Sequence, residues 1–102
     1  MEEATLVTRL KSGDFAAYEE LIRTYGPRVL SVARRFLPRE EDAEVAIENT
    51  FLAISRSINS YSPEEKGNLI RWMHRITVIE SLRYLIEIQK SRGRRPNLED
   101  ID

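Results

Sequence analysis

The rest of the chain is organised around residues 69–96, LIRWMHRITVIESLRYLIEIQKSRGRRP. Apolar residues recur in it every three to four positions, at Leu69, Trp72, Met73, Ile76, Ile79, Leu82, Leu85 and Ile86. This period predicts a long amphipathic helix whose apolar side lies along other helices. The other side is basic, because residues 69–95 contain seven arginines and lysines against two glutamates. Such a helix face is typical of a surface that binds a polyanion.

Two helices are predicted in the first third of the chain. The first covers about residues 3–11, and Gly13 and Asp14 then supply a helix stop and a helix cap. The second has apolar residues at alternating steps of three and four, and this phase continues across Gly26 and Pro27. We therefore expect a kink there rather than a break. The aromatic residues of this helix are expected in the core: Phe15, Tyr18, Tyr25 and Phe36.

A third helix is predicted over about residues 40–59, with an apolar stripe at Ile47, Phe51, Ile54 and Ile58. The polar loop of residues 60–68 then leads to the basic helix. No strand-like alternation is present, so the fold class is all-α, a compact bundle of about four helices whose last helix is long, amphipathic and basic. Residues 1–90 are expected to form the domain, and residues 91–102 to begin a linker toward a further domain.

Composition excludes several classes of function. The chain has 102 residues, a formal net charge of -1, no cysteine and one histidine, so neither a thiolate metal site nor a histidine cluster is expected. No pair of titratable groups suggests catalysis, and we expect neither an enzyme nor a cofactor. No apolar run has the length of a membrane span, and the acidic start does not resemble a secretory signal, so a cytoplasmic location is expected.

Five short motifs, in order, resemble region 2 of sigma-70 family factors, and most closely the extracytoplasmic-function (ECF) group. They are SGDFAAYEELI at residues 12–22, YGPRVL at 25–30, DAE at 42–44, TFL at 50–52 and RWMHRI at 71–76. The resemblance implies a transcription initiation factor domain that binds core RNA polymerase at the β′ clamp helices. It also implies that the domain recognises and melts the -10 promoter element, binding its non-template strand as single-stranded DNA, and that an anti-sigma factor regulates it.

The resemblance also implies site residues. Those aligned with the polymerase-contacting surface are Glu44, Val45, Glu48, Asn49, Leu52 and Arg56. Those aligned with the base-capturing loop and the strand-binding helix are Ser60, Tyr61, Lys66, Asn68, Arg71, Trp72, His74, Arg75 and Arg83. Backbone cations beside an aromatic ring or a base pocket are what a single strand requires. For Trp72 core packing is the alternative, since helical phase places it beside Met73 and Ile76.

Two other interpretations remain open. The chain departs from the family pattern at three positions. Val45 and Ile79 are apolar where the family has polar residues, and Asn49 replaces a different polar residue. A sigma-like interaction or decoy module, which binds an anti-sigma factor or polymerase without melting a promoter, is therefore the first alternative. An unrelated helix-turn-helix protein is the second, and it is disfavoured because the basic helix is too long and apolar for a simple recognition helix.

Overall fold

The computed structural model describes the backbone of residues 2–101 and the side chains of residues 2–91. Over this range the chain forms five α-helices, one 3-10 turn and no strand, so the all-α prediction is confirmed. The helices are α1 (Glu3–Lys11), α2 (Phe15–Phe36), α3 (Glu40–Ser57), α4 (Pro63–Lys66) and α5 (Leu69–Ile101). The 3-10 turn covers Ile58–Ser60. None of the described helices combines the length and apolar character needed to cross a bilayer.

Local chemistry explains where the helices begin. The Asp14 carboxylate accepts a hydrogen bond from the Ala16 amide at 3.0 Å and so caps α2, as predicted. Gly13 takes φ of 82°, a left-handed conformation that glycine adopts without strain. Helix α3 begins with three acidic residues in its first turn, which favour a helix N-terminus. Helix α2 continues through Pro27, so the chain keeps one helix there, as predicted.

Helix α5 packs against both α2 and α3, and the apolar core follows its length. The larger cluster lies at the start of α5, where Leu69 and Met73 are fully buried together with Leu10, Leu21 and Ile54. A smaller cluster lies between α2 and α3, around four residues that are buried there: Ala33, Leu37, Ala43 and Ala46. The small side chains of Ala33, Ala43 and Ala46 let the helix backbones approach closely.

Small polar residues are also part of the core. Thr50 on α3 and Thr77 on α5 are fully buried, and each hydroxyl donates to the carbonyl of the residue one turn earlier, at 2.7 Å. These internal bonds satisfy the hydroxyl groups without a partner from another helix. Helix α5 was predicted to end at Pro96, and its backbone is helical to Ile101. The assignment of residues 91–102 as an interdomain linker stays a prediction.

One prediction about the core is wrong. Phe15, expected inside, is 75% exposed, and Ile22 is exposed on the same helix. The buried face of α2 is formed by Ala17, Leu21, Val29 and Ala33, and Phe15, as the first residue of the helix, lies ahead of all four. The other expected core aromatics, Tyr18, Tyr25 and Phe36, lie at the edge of this face and are partly buried.

Candidate nucleic-acid interface

The loop before α5 is held by a buried aromatic pair. The Tyr61 ring is almost fully buried, and its centroid lies 4.8 Å from that of Trp72, at an interplanar angle of 38°. The Tyr61 hydroxyl donates to the Gly67 carbonyl at 2.9 Å, across α4. Burial raises the pKa of Tyr61 above its usual value, so this hydroxyl keeps its proton at neutral pH and remains a donor. The bond between Tyr61 and Gly67 therefore joins the two ends of the loop, and the contact with Trp72 holds Tyr61 against α5.

Helix α1 anchors the same loop from the other side. The Lys11 ammonium donates to the Tyr61 carbonyl at 2.7 Å, and the Leu69 amide donates to the Glu3 carboxylate at 3.1 Å. The second bond satisfies one of the free amides at the start of α5. The sequence analysis missed Glu3 and Lys11, because the contacts span 66 and 50 residues and no local pattern marks them.

The turn into α5 brings several predicted residues together. Asn68 caps the helix, its side-chain oxygen accepting from the Arg71 amide at 3.0 Å. Arg75 donates to the Lys66 carbonyl at 3.0 Å, so its guanidinium lies against the end of α4. Gly67 has φ of 80°, and a side chain there would be strained. Loop and helix thus meet at a defined angle, with three cationic side chains around the junction.

The exposed face of the first turns of α5 is positively charged. Ile70, Arg71, His74 and Arg75 line a shallow depression of about 350 Å³ that contains no carboxylate. Neither Arg71 nor Arg75 has an ion-pair partner among residues 2–91. Uncompensated cations around a concave surface attract a polyanion and raise its local concentration.

The structure does not bring all the predicted strand-binding residues to this face. Tyr61 and Trp72 are in the core. Trp72 is only 7% exposed, as expected if it is a core residue. Ser60 is exposed, and its hydroxyl donates to the Ser57 carbonyl at 2.8 Å. Arg83 contacts Glu80 at 3.3 Å and lies on a different side of α5, facing α3.

The candidate polymerase residues form a second surface on α3. Glu44, Glu48, Leu52 and Arg56 are exposed, whereas Val45 and Asn49 are partly buried. Asn49, Leu52, Arg56 and Arg83 line a cleft of about 320 Å³ between α3 and α5. Its lining is mostly polar, with Leu52 as an exposed apolar residue. Within residues 2–91 no group of acidic or histidine side chains is arranged to hold a metal ion.

Comparison with known proteins gives consistent results. The chain is 34% identical over 86 residues to the ECF RNA polymerase sigma factor SigE of Mycolicibacterium smegmatis, covering 81% of this chain and 31% of that protein. It is 28% identical over 102 residues to the ECF RNA polymerase sigma-E factor of Escherichia coli strain K12, covering 100% of this chain and 50% of that protein. The chain therefore spans between about a third and a half of the length of these relatives.

A solved structure has the same fold. It is the NMR structure of the complex formed by an engineered region 2 of sigmaE with GTAAAA, with a TM-score of 0.77 and 27% sequence identity, covering 93% of each chain. The family profile named Sigma-70 region 2 matches residues 21–91, which is most of the chain. The predicted resemblance is confirmed: the chain belongs to the sigma-70 region 2 family, as a domain of the ECF group.

Proposed function

We propose that this chain is a transcription initiation factor domain that binds the -10 promoter element as single-stranded DNA. The observation that carries the proposal is the pair of exposed, uncompensated arginines beside the anchored loop, Arg71 and Arg75. In this proposal they contact phosphates, while the loop of residues 60–68 receives an unstacked base. The solved relative binds GTAAAA, and this supports a single nucleic-acid strand as the ligand.

The buried aromatic residues have a supporting role in this proposal. Tyr61 and Trp72 pack against each other in the core, so we assign them to the shape of the loop rather than to direct contact with a base. Direct contacts are assigned to exposed polar groups around the junction and to the half-buried Lys66; the exposed groups are Ser60, Asn68, Arg71, His74 and Arg75. A loop whose shape is fixed before binding loses less conformational entropy when a base enters it.

The outer face of α3 is proposed to bind the β′ clamp helices of core RNA polymerase. Leu52 supplies an exposed apolar contact, and Glu44, Glu48 and Arg56 supply charged groups around it. Because Arg83 lines the same cleft as Asn49 and Leu52, we assign it to this surface and not to the DNA strand. The domain would act in the cytoplasm, with residues 91–102 leading toward a promoter-reading region 4 and an anti-sigma factor as regulator.

A direct test uses a fluorescently labelled GTAAAA strand and measures anisotropy against salt concentration. Arg71→Ala should weaken binding and reduce the slope of log K against log salt by about 0.7, the contribution of one phosphate contact on a single strand. Arg71 is the best site, since its guanidinium makes no hydrogen bond in the described chain. Arg23→Ala, at an exposed arginine on α2 outside this surface, is the matched control.

The control substitution Arg23→Ala should leave the affinity for the GTAAAA strand and the salt slope unchanged. Equal effects of both substitutions, or no binding by the unsubstituted protein, would contradict the proposed DNA interface. Polymerase binding is tested separately, by pull-down of core polymerase with Leu52→Ala and with Glu44→Ala. Loss of pull-down with Leu52→Ala, without loss of strand binding, is the expected result.

One observation favours a second candidate, a sigma-like interaction or decoy module that binds an anti-sigma factor or polymerase without melting promoters. Ile79 is 50% exposed, at the position where the family resemblance implies an asparagine that shapes the base pocket. An exposed isoleucine gives no hydrogen bond to a base and offers apolar area to a protein. Polymerase binding without binding of any -10 strand would support this candidate over the first.

A further inference from the structure

The chain contains one histidine, His74, and it lies on the proposed strand-binding face. Its side chain is exposed and lines the depression of α5 together with Arg71 and Arg75. Histidine is the side chain that ordinarily changes charge between about pH 5 and 8. Since the sequence has no cysteine and no second histidine, a pH-dependent charge near neutrality can reach this surface through one side chain.

The charged groups that face His74 are all cationic. On α5 they are Arg71 and Arg75, and on α2 they are Arg28 and Arg35, which line the groove on the other side of the histidine. Among residues 2–91, no carboxylate lines either the depression or the groove. A phosphate that binds beside His74 is therefore the nearest anion to the imidazole, and an adjacent negative charge favours the protonated ring.

The ring of His74 is available to a ligand. Neither of its nitrogens has a hydrogen-bond partner in the part of the chain whose side chains are described. Arg71 lies three residues earlier, and side chains at this spacing are neighbours on a helix surface. The Arg71 guanidinium is also without a bond there, whereas Arg75 is held by the Lys66 carbonyl at 3.0 Å. A phosphate between Arg71 and His74 can accept a charged hydrogen bond from each.

Resting on the proposed function, we infer that strand binding is coupled to protonation of His74, so that the domain binds single-stranded DNA more tightly as the pH falls. A protonated imidazole adds a cation and two donors to the interface, whereas a neutral one adds no charge. Because a bound phosphate strengthens proton binding, a bound proton must strengthen strand binding to the same extent. The added affinity appears as the pH falls through the range in which imidazole titrates, and it is lost as the pH rises again.

The test measures the anisotropy of the labelled GTAAAA strand with the unsubstituted 102-residue protein from about pH 8 to about pH 6, at constant low salt. Affinity should rise about fivefold, the effect of one exposed charge pair. The slope of log K against log salt should be steeper at the lower pH by up to about 0.7, for one added phosphate contact. Titration calorimetry in two buffers of different ionisation enthalpy should show that part of a proton is taken up on binding.

Substitutions of the histidine separate charge from shape. His74→Gln is neutral throughout this range and should remove both the pH dependence and the proton uptake. His74→Arg is cationic throughout and should also be independent of pH, with affinity at about pH 8 above that of the unsubstituted protein. The matched control is the double variant His74→Gln, Arg23→His, which keeps one histidine but places it on α2 outside this surface, and it should remain independent of pH.

Binding of GTAAAA without any pH dependence would overturn the inference and leave the proposed function standing. A pH dependence that His74→Gln retains, or that the double variant regains, would also overturn it, since the titrating group would then lie elsewhere. Weaker binding by His74→Arg than by His74→Gln would show that this side chain does not contact a phosphate. Failure of the unsubstituted protein to bind the strand at every pH would instead refute the proposed function itself. Circular dichroism of each variant checks that the helices are intact.

Discussion

Helix α5 has an enclosed first part, residues 69–77, and a more open second part, residues 78–91, with similar apolar patterns and different exposure. In the first part, Leu69 and Met73 are fully buried, because α1, the 3-10 turn and Tyr61 add to the cover that α2 and α3 supply. In the second part, Tyr84, Leu85 and Ile88 pack against the smaller cluster, whereas Ile79 and Ile86 are 50% and 51% exposed. Periodicity therefore predicts the helix in both parts, but burial depends on which elements cover it. Residues of α1, the 3-10 turn and the loop belong only to the larger cluster, so they make the first part the more enclosed one.

The functional surfaces follow the same division. The enclosed part carries Arg71 and Arg75 on its outer side, above a fully packed core. The open part carries exposed apolar residues and the cleft that Arg83 shares with α3. A rigid base under the cations favours precise contacts with a strand, whereas an apolar helix face favours contact with protein.

The largest expected effect is a difference in the free energy of unfolding between substitutions in the two parts of α5. Met73→Ala should lower the free energy of unfolding by about 2–5 kcal/mol, because a fully buried side chain is replaced by a cavity. Ile86→Ala, at an exposed position of the same helix, should change it by less than about 0.5 kcal/mol. Urea denaturation followed by circular dichroism measures both. Similar losses for the two variants would show that the second part is covered in solution.

A smaller effect is expected where α1 anchors the loop. Lys11→Met removes the donor to the Tyr61 carbonyl and should cost about 1 kcal/mol of stability. It should also weaken strand binding, since the loop is then less constrained. Lys11→Arg keeps a cationic donor and should restore binding. A loss of stability with strand affinity unchanged would mean that the loop does not need this anchor.

The ion pair between Arg9 on α1 and Asp14 at the start of α2 predicts that the stability of the protein depends on pH. The Arg9 guanidinium donates to Asp14 at 2.8 Å and lowers the pKa of that carboxyl below 3.8. A lowered pKa in the folded state stabilises the protein above pH 3.8, and this contribution is lost as the pH falls through the folded-state pKa.

Asp14→Asn keeps a capping side chain and loses the charge, so it isolates this ion pair. The variant should be less stable than the unsubstituted protein at pH 7, and the difference should narrow as the pH falls below 3.8. Thermal unfolding at a series of pH values measures this, with Glu19→Gln on the same helix as control. A difference that is independent of pH would show that the carboxylate charge has no role.

The smallest expected change in stability concerns the open part. Ile79→Asn replaces an exposed isoleucine and should alter the free energy of unfolding by less than about 0.5 kcal/mol. If the strand-binding proposal is right, the amide should add a hydrogen bond and tighten binding to GTAAAA. Unchanged strand binding together with weaker polymerase binding would instead favour the interaction or decoy module.

Local features of the chain were enough to predict α1, α2, α3 and the start of α5, whereas the short α4 lies within the stretch predicted as a polar loop. Asp14 and Gly13 mark the junction of α1 and α2, and the phase across Pro27 indicates one continuous helix, as the structure has it. The family could also be recognised from the sequence, because its motifs are short runs of neighbouring residues. These features depend on residues close together in sequence, where spacing and side-chain chemistry determine the outcome.

Contacts between distant elements were not predictable. Phe15 has the period of a core residue, but it is the first residue of α2, and the residues that pack inward on this helix begin at Ala17. The anchors Glu3 and Lys11 are ordinary surface residue types whose partners lie far along the chain. Arg83 aligns with the basic side of α5, and only the position of α3 places it beside the candidate polymerase surface.

The bond between the Leu69 amide and Glu3 joins residues 66 positions apart, and it makes that amide a reporter of local unfolding. As a first-turn amide of α5 it has no partner within the helix, so its exchange with solvent deuterium is slowed only while α1 is docked. Its protection factor therefore measures how often α1 detaches. The protection factor of the Met73 amide, deeper in the same helix, reports unfolding of the whole domain. Comparing the two amides therefore distinguishes detachment of α1 from global unfolding.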